Sequence, residues 1–339
     1  MRSRLCFLPV DGKPCAGWDR MWTEAERDAA RQQLATLHQE VEALESQQLF
    51  RARTQFAAFI EYVLRDEHTL ETIRLDPMHR QWLWLLEYCW AEGLVPWVMA
   101  PFGSGKSSVF VIALVLFLLG VDPTLRIMVV SANDDQAKDR LALIRRYIEA
   151  SDEYHAVFPH VVPDTEASWS TKKLYIQRRT QARDASVTAM GITSSPIGAR
   201  IDIMLFDDIC DARNMIINPK LRETVFKNYT GPFLSRVEKP HGRVAGIATR
   251  WHVDDVFGRI TRDPAMANQY GFLIQAVNPE GTALHCEVLL GHGVEGARPL
   301  ASLKAPQQGL DALIALWKAG HLRDMDAEGD APWDADLED

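Results

Sequence analysis

The period of apolar and polar positions changes several times along this chain. From Thr23 to Arg65 the sequence is rich in Ala, Glu, Gln, Arg and Leu. Leu34, Leu37, Val41 and Leu44 fall three and four residues apart within it. That spacing predicts a helix or helical hairpin. The repeat is too short for a coiled coil, so the stripe is expected to pack on the chain's own domain. Pro77 opens a second helical stretch, His79 to Trp90, dense in Trp and Leu. From Leu94 onwards strands and helices alternate. Leu94 to Met99 and Leu125 to Ala132 read as strands, and Val109 to Leu119 as a buried helix between them. Asp134 to Tyr154 is amphipathic, with Ala137, Leu141, Ile144 and Ile148 on one face. Lys173 to Arg179 and Ser186 to Ile192 read as paired strands, and Ile203 to Phe206 as an apolar strand. Asn218 and Pro219 cap and open a further helix. Arg243 to Thr249 is a strand, and Val253 to Thr261 a helix. Such alternation predicts an α/β fold, a mainly parallel sheet flanked by helices, preceded by an N-terminal helical segment.

Three zones follow. Residues 1–75 hold a loose start and the helical region, 76–280 the α/β domain, and 281–339 a short C-terminal extension. Periodicity weakens after Pro279. Asp324 to Asp339 is acidic with few apolar groups, which predicts a solvated, disordered tail.

Composition narrows the class. A chain of 339 residues, 47% hydrophobic and 24% charged, can bury a full core. Cys6, Cys15, Cys89, Cys210 and Cys286 form no C-x-x-C pair, so neither a zinc site nor a disulfide framework is indicated. The longest apolar run, Val109 to Val121, is too short for a bilayer, and no secretory signal opens the chain. A protein of the cytoplasm, with no membrane partner, is expected. The net charge of −9 argues against a broad DNA-coating surface but not against a local basic patch.

The chemistry is concentrated at strand ends. Ala100-Pro101-Phe102-Gly103-Ser104-Gly105-Lys106-Ser107-Ser108 lies between an apolar strand and an apolar helix, the context a Walker A phosphate loop requires. Gly103 and Gly105 permit backbone angles closed to other residues. N–H groups at the helix start, including those of Ser104 and Ser108, can then face phosphate oxygens. Lys106 brings positive charge to the β- and γ-phosphates, and the Ser107 hydroxyl can ligate Mg²⁺. The motif has Gly at its first position where this chain has Ala100, tolerable if the backbone angle is ordinary.

Met204-Leu205-Phe206-Asp207-Asp208, about 100 residues on, reads as Walker B. Asp207 would hold Mg²⁺, and Asp208 would orient or deprotonate the attacking water. A third strand ends in Thr249-Arg250. Ligands gather at the carboxyl ends of parallel strands. Thr249 can therefore sense the γ-phosphate. Arg250 can contact it, pair with Asp208, or form a structural ion pair at the next helix.

Four segments in order carry a family resemblance: APFGSGKSS at 100–108, RIMVVSANDDQAKDRLALIRRYIE at 126–149, GARIDIMLFDDI at 198–209 and ATRWHVDDVFGRI at 248–260. Over residues 55–280 the chain resembles the ATPase domain of large terminase subunits, the genome-packaging motors of tailed bacteriophages. The resemblance implies a P-loop NTPase fold of the ASCE, RecA-like type, with ATP and Mg²⁺ as cofactors. Lys106 and Ser107 would be the phosphate and magnesium residues, Asp207 the metal acid and Asp208 the catalytic acid. Thr249 would lie in the coupling motif. The helix before the loop typically binds adenine, which points to the stretch around His79 and Gln81, with Gln81 as candidate. Trp82 and Trp84 are expected in the core.

The family further implies double-stranded DNA, a portal protein and a small terminase subunit as partners, and a homo-oligomeric ring. Two departures stand out. Many members carry an arginine where this chain has Phe102, so a loop arginine finger is missing. Arg200, ahead of the Walker B strand, is the candidate to act in trans, with Arg250 as the alternative within the chain. Full-length members also follow the ATPase with an RNase H-type nuclease domain, which residues 281–339 are too few to hold. The expectation is therefore a motor without nuclease activity, with the nuclease supplied by a separate subunit or lost by truncation. A catalytically weak assembly subunit and a helicase-like remodelling ATPase are the competing readings.

Overall fold

The computed structural model describes residues 24–277, 284–290 and 301–303, except residues 68, 168, 180–182 and 197. The chain divides into two units, Met1–Phe50 and Arg51–Asp339. In the first, helix α1 (Glu24–Thr54) begins. Its Leu34, Leu37, Val41 and Leu44 side chains are exposed, so the expected packing of that stripe is not what the structure shows. A predominantly polar helix can stand in water where charged and amide side chains cover most of its surface.

In the second unit one sheet organises everything. Its described strands are β1 (Val95–Met99), β2 (Ile127–Ser131), β3 (Lys173–Leu174), β4 (Val187–Gly191), β5 (Ile203–Asp207), β6 (Arg243–Ala248), β7 (Tyr270–Val277), β8 (Leu284–Leu290) and β9 (Ala301–Leu303). Their order is β3-β4-β2-β5-β6-β1-β7-β8-β9. Every pair from β4 to β7 is parallel, whereas β3, β8 and β9 add antiparallel edges. The central strands are nearly continuous apolar runs because both faces are covered. The sheet continues past residue 280 through β8 and β9, beyond the expected end of the α/β domain. The predicted acidic tail from Asp324 lies outside the described residues.

The helices are α2 (Phe56–Val63), α3 (Pro77–Ala91), α4 (Ala113–Val121), α5 (Asp134–Ala150), α6 (Asp152–Val157), α7 (Lys220–Asn228), α8 (Val256–Arg262) and α9 (Pro264–Ala267). The chain enters α4 through a wider, π-wound stretch, Ser107–Ile112. α5 starts where Asn133 accepts from the Gln136 N–H, with Asp134 and Asp135 in its first turn. The four apolar residues predicted for its buried face, Ala137, Leu141, Ile144 and Ile148, are all buried.

Two aromatic clusters hold the helices on. Phe56 and Phe59 meet Phe117, and Phe59 meets Tyr154 and Phe158. Elsewhere in the core Trp97 packs on Phe206, Tyr229 and Phe257 and donates to the Tyr229 hydroxyl at 3.2 Å. Trp97 on β1 stands opposite Gly246 on β6. A Cβ on Gly246 would lie 2.4 Å from the indole ring. Space, not backbone freedom, thus requires glycine there. Gly246→Ala is expected to cost about 1–3 kcal/mol, read as a lower thermal midpoint. A midpoint equal to wild type would show that the indole moves aside freely.

Candidate nucleotide site

β1, β5 and β6 end on the same edge of the sheet and deliver the site. The loop after β1 turns through Gly103 at φ +75° and Gly105 at φ +73°, both in the left-handed region. Ala100 keeps an ordinary backbone angle: among described non-glycine residues positive φ occurs at Leu70 and Asp208. The first position therefore does not need glycine, and the sequence departure there has no structural cost. Ser104 closes the turn, its hydroxyl donating to the Pro101 carbonyl at 2.9 Å. Ser108 faces away, lining a cavity of about 380 Å³ with Ile112, Leu143, Arg146 and Tyr147.

Lys106 is buried at 5% exposure, so its ammonium must be satisfied internally. It donates to Thr249 Oγ1 at 2.9 Å and lies 3.3 Å from Asp208 Oδ2. Phe102, which occupies the expected arginine's place, sets its ring 5.1 Å from the Lys106 Nζ and packs on Trp251. An aromatic face attracts the lysine but brings no charge of its own.

Asp207 and Asp208 leave β5 in different directions. Asp207 Oδ1 accepts from the Ser107 hydroxyl at 2.8 Å, and Arg140 of α5 contacts Oδ2. Asp208 turns back through φ +47°, its N–H bonded to the Ile247 carbonyl and its Oδ1 accepting from the Thr249 N–H at 2.7 Å. This left-handed turn lets two successive carboxylates reach one site, which an extended strand end alone would not do. Aspartate adopts that conformation more readily than glutamate, a physical reason for Asp rather than Glu here. Burial raises the Asp208 carboxyl above its ordinary value; Lys106 opposes this and Asp207 adds to it.

The residues fit a magnesium ion. A hydroxyl beside one deep carboxylate is a donor pair that Mg²⁺ uses, its other positions being taken by phosphate oxygens and water. Ser131 supports the fit. It ends β2 opposite Asp207 on β5, is fully buried, and its hydroxyl has no partner among the described residues. Side chains of paired parallel residues share a face, so this unpartnered hydroxyl lies on the same face as Asp207 and could serve a hydrated ion held there.

Three sequence candidates are placed elsewhere. Arg250 does not pair with Asp208. Its Nε donates to Asp255 at 2.7 Å, and that fully buried carboxylate also caps α8 through the Gly258 N–H. A buried cap carboxylate demands a counter-charge, and Arg250 supplies it. Arg200 precedes β5 at its amino end, roughly 20 Å from Asp207 by strand rise. Its side chain is 75% exposed, with Glu238 at 3.7 Å. Within one chain it is remote from the loop. Gln81 accepts from Gln275 of β7, and its neighbour Trp82 bonds that same glutamine.

His79, on the same helix, is the residue that reaches the loop. The Asp76 N–H donates to His79 Nδ1 at 3.1 Å, so Nε2 carries the hydrogen it gives to the Ser104 carbonyl at 2.9 Å. Ser131 and Arg140 also escaped the sequence reading. A polar residue closing an apolar strand was the available signal for Ser131; none marked Arg140.

A parallel sheet in which β1, the strand before the glycine loop, is separated by one further strand from β5, the strand ending at Asp207, with the loop, Lys106 and both acids on one edge, is the P-loop NTPase fold. A sequence profile for the N-terminal region of T4-like-virus-type large terminase subunits matches residues 97–289. That is more than half of the chain, and the chain belongs to the large terminase family. Among solved structures it is similar to the HK97 bacteriophage large terminase, at 11% identity and a TM-score of 0.43, over 61% of this chain and 40% of that one. It is also similar to S. cerevisiae Dbp5 bound to Nup159, Gle1, IP6 and ADP, at 14% identity and 0.37, over 61% and 49%. The chain thus spans less than half of either structure. No curated protein matches it significantly. Among the described residues no helix is long and apolar enough to cross a membrane.

Proposed function

We propose that this chain is the ATP-driven subunit of a motor that packages double-stranded DNA into a viral procapsid. The observation that carries the reading is the convergence of Lys106, Asp208 and Thr249 beside the Gly103–Gly105 turn. Lysine, water-positioning acid and coupling residue already bond one another across three strands. Bound phosphate would take Lys106 from Thr249 and Asp208, so nucleotide state is transmitted to the end of β6 through Thr249. Asp208, released from its lysine and still held by the Thr249 N–H, is then free to accept a proton from water. Ser107 and Asp207 would hold Mg²⁺, which when bound neutralises charge between the β- and γ-phosphates.

Phe102 leaves the site short of one cation. Arg200, exposed on the other edge of the sheet, is suited to enter a neighbouring copy's site rather than its own. This favours a homo-oligomeric ring acting with a portal protein and a small terminase subunit, and with DNA cleavage supplied by another subunit. Steady-state ATP turnover by the purified chain, with and without double-stranded DNA and portal, tests the reading. Mg²⁺-dependent turnover that rises with DNA or portal and falls on Arg200→Ala is expected. A folded chain that binds no ATP in Mg²⁺ would overturn it.

A further inference from the structure

Asp207 has the deepest carboxylate of the site, its side chain 1% exposed. Such a group is stable only with a counter-charge and with its lone pairs used. One oxygen takes the Ser107 hydroxyl; the other meets the Arg140 guanidinium. Arg140 is two turns into α5, on the helix that follows β2, and its own side chain is 28% exposed. It therefore reaches inward from the margin of the site to the one carboxylate placed to receive a metal. A guanidinium and a hydrated divalent ion cannot share that oxygen, because both need the same lone pairs and repel each other.

We propose that Arg140 is the stand-in cation of the metal site. It neutralises Asp207 while no metal is bound and gives up Oδ2 when Mg²⁺ arrives with nucleotide. Metal loading is then an exchange of one cation for another. The side chain it displaces belongs to α5, so occupancy of the site is felt by a helix that contributes nothing to the phosphate loop. Arg140 is on this account a positioning residue for the Asp207 carboxylate. The inference rests on the reading of Ser107 and Asp207 as the magnesium residues.

Two measurements on the full chain test it. In the first, binding of a fluorescent ADP is titrated against Mg²⁺. Arg140→Gln removes the competitor, so the Mg²⁺ concentration for half-maximal binding should fall on the order of tenfold, the value of one charged hydrogen bond. Arg140→Lys keeps the charge without the planar fork and should shift it less. In the second, thermal unfolding is followed in EDTA without nucleotide for Arg140→Gln, Asp207→Asn and the double variant. Arg140→Gln leaves the buried Asp207 without its counter-charge and Asp207→Asn leaves the half-buried Arg140 without its partner, so the double variant should melt above the sum of the two losses. An unchanged or raised Mg²⁺ midpoint in folded Arg140→Gln, or in Arg140→Lys if the glutamine variant does not fold, overturns the proposal. So do strictly additive losses in EDTA. Wild-type chain that binds no labelled ADP at any Mg²⁺ concentration would instead sink the nucleotide reading, while the EDTA cycle still reports on the pair.

Discussion

Lys106→Ala is expected to lower the ATP hydrolysis proposed for this chain by on the order of 10³-fold or more and to leave a folded chain. Lys106 is the cation that the loop itself presents, and Phe102 offers no second one to compensate. Loss of a charge aimed at the transferring phosphate is felt most in the transition state, where negative charge shifts. The structure adds a cost outside catalysis. Without Lys106 the Asp208 carboxylate loses its counter-charge at 3.3 Å, although the Thr249 N–H still serves its other oxygen. A modest loss of stability, about 1–3 kcal/mol, is therefore expected alongside the catalytic loss. The Lys106→Ala, Asp208→Asn double variant should recover part of that stability and none of the activity. Circular dichroism and thermal melting check the fold, and single-turnover hydrolysis checks the chemistry. Turnover within tenfold of wild type in a folded Lys106→Ala chain would rule out the Walker A assignment.

Local pattern was enough for the central strands and the loop. β1, β2, β5 and β6 are short, mainly apolar runs, as covered parallel strands must be, and polar residues close β2 at Ser131 and β5 at Asp207. Gly103 and Gly105 stand where the turn demands positive φ. Features that depend on how elements meet were not legible. Which side of α3 faces the loop is decided by its packing: His79 lies edge-on to buried Trp82, the two share a helix face, and His79 is the α3 side chain that bonds the loop, while Gln81 accepts from Gln275. Arg140 and Asp207 are far apart in the chain, and neither residue's neighbourhood hints at the other. For Arg250 both an active and a structural partner were in reach. The buried Asp255 cap prevailed because Arg250 is its one ion-pair partner among the described residues. The antiparallel strands beyond β7 lie where periodicity had already weakened.

Asp208→Asn should separate hydrolysis from binding. Asparagine is among the residues that best tolerate the left-handed backbone found at φ +47°, and its Oδ1 can still accept from the Thr249 N–H. The site should therefore assemble as before, with Mg·ATP affinity within a few-fold of wild type. What asparagine cannot do is take a proton, so the rate should fall about 10²–10⁴-fold. Asp208→Glu is the sharper test. It keeps the acid, yet its extra methylene displaces the carboxylate from the Thr249 N–H and Lys106. Its backbone is also less suited to positive φ, by about 1 kcal/mol. The glutamate variant is thus expected to be both slower and less stable than wild type, and less stable than Asp208→Asn. Asp207→Asn should behave differently from either. The nucleotide should then bind only at higher Mg²⁺, because on the proposed reading the lost group would hold the metal in the ground state and not the water in the transition state. Equilibrium binding against Mg²⁺ and single-turnover rates, measured on all three variants, divide the roles. Equal loss of nucleotide binding in Asp207→Asn and Asp208→Asn would show that the two carboxylates act as one metal-holding pair. An Asp208→Glu chain as fast and as stable as wild type would show that the left-handed turn places no demand on the residue it carries.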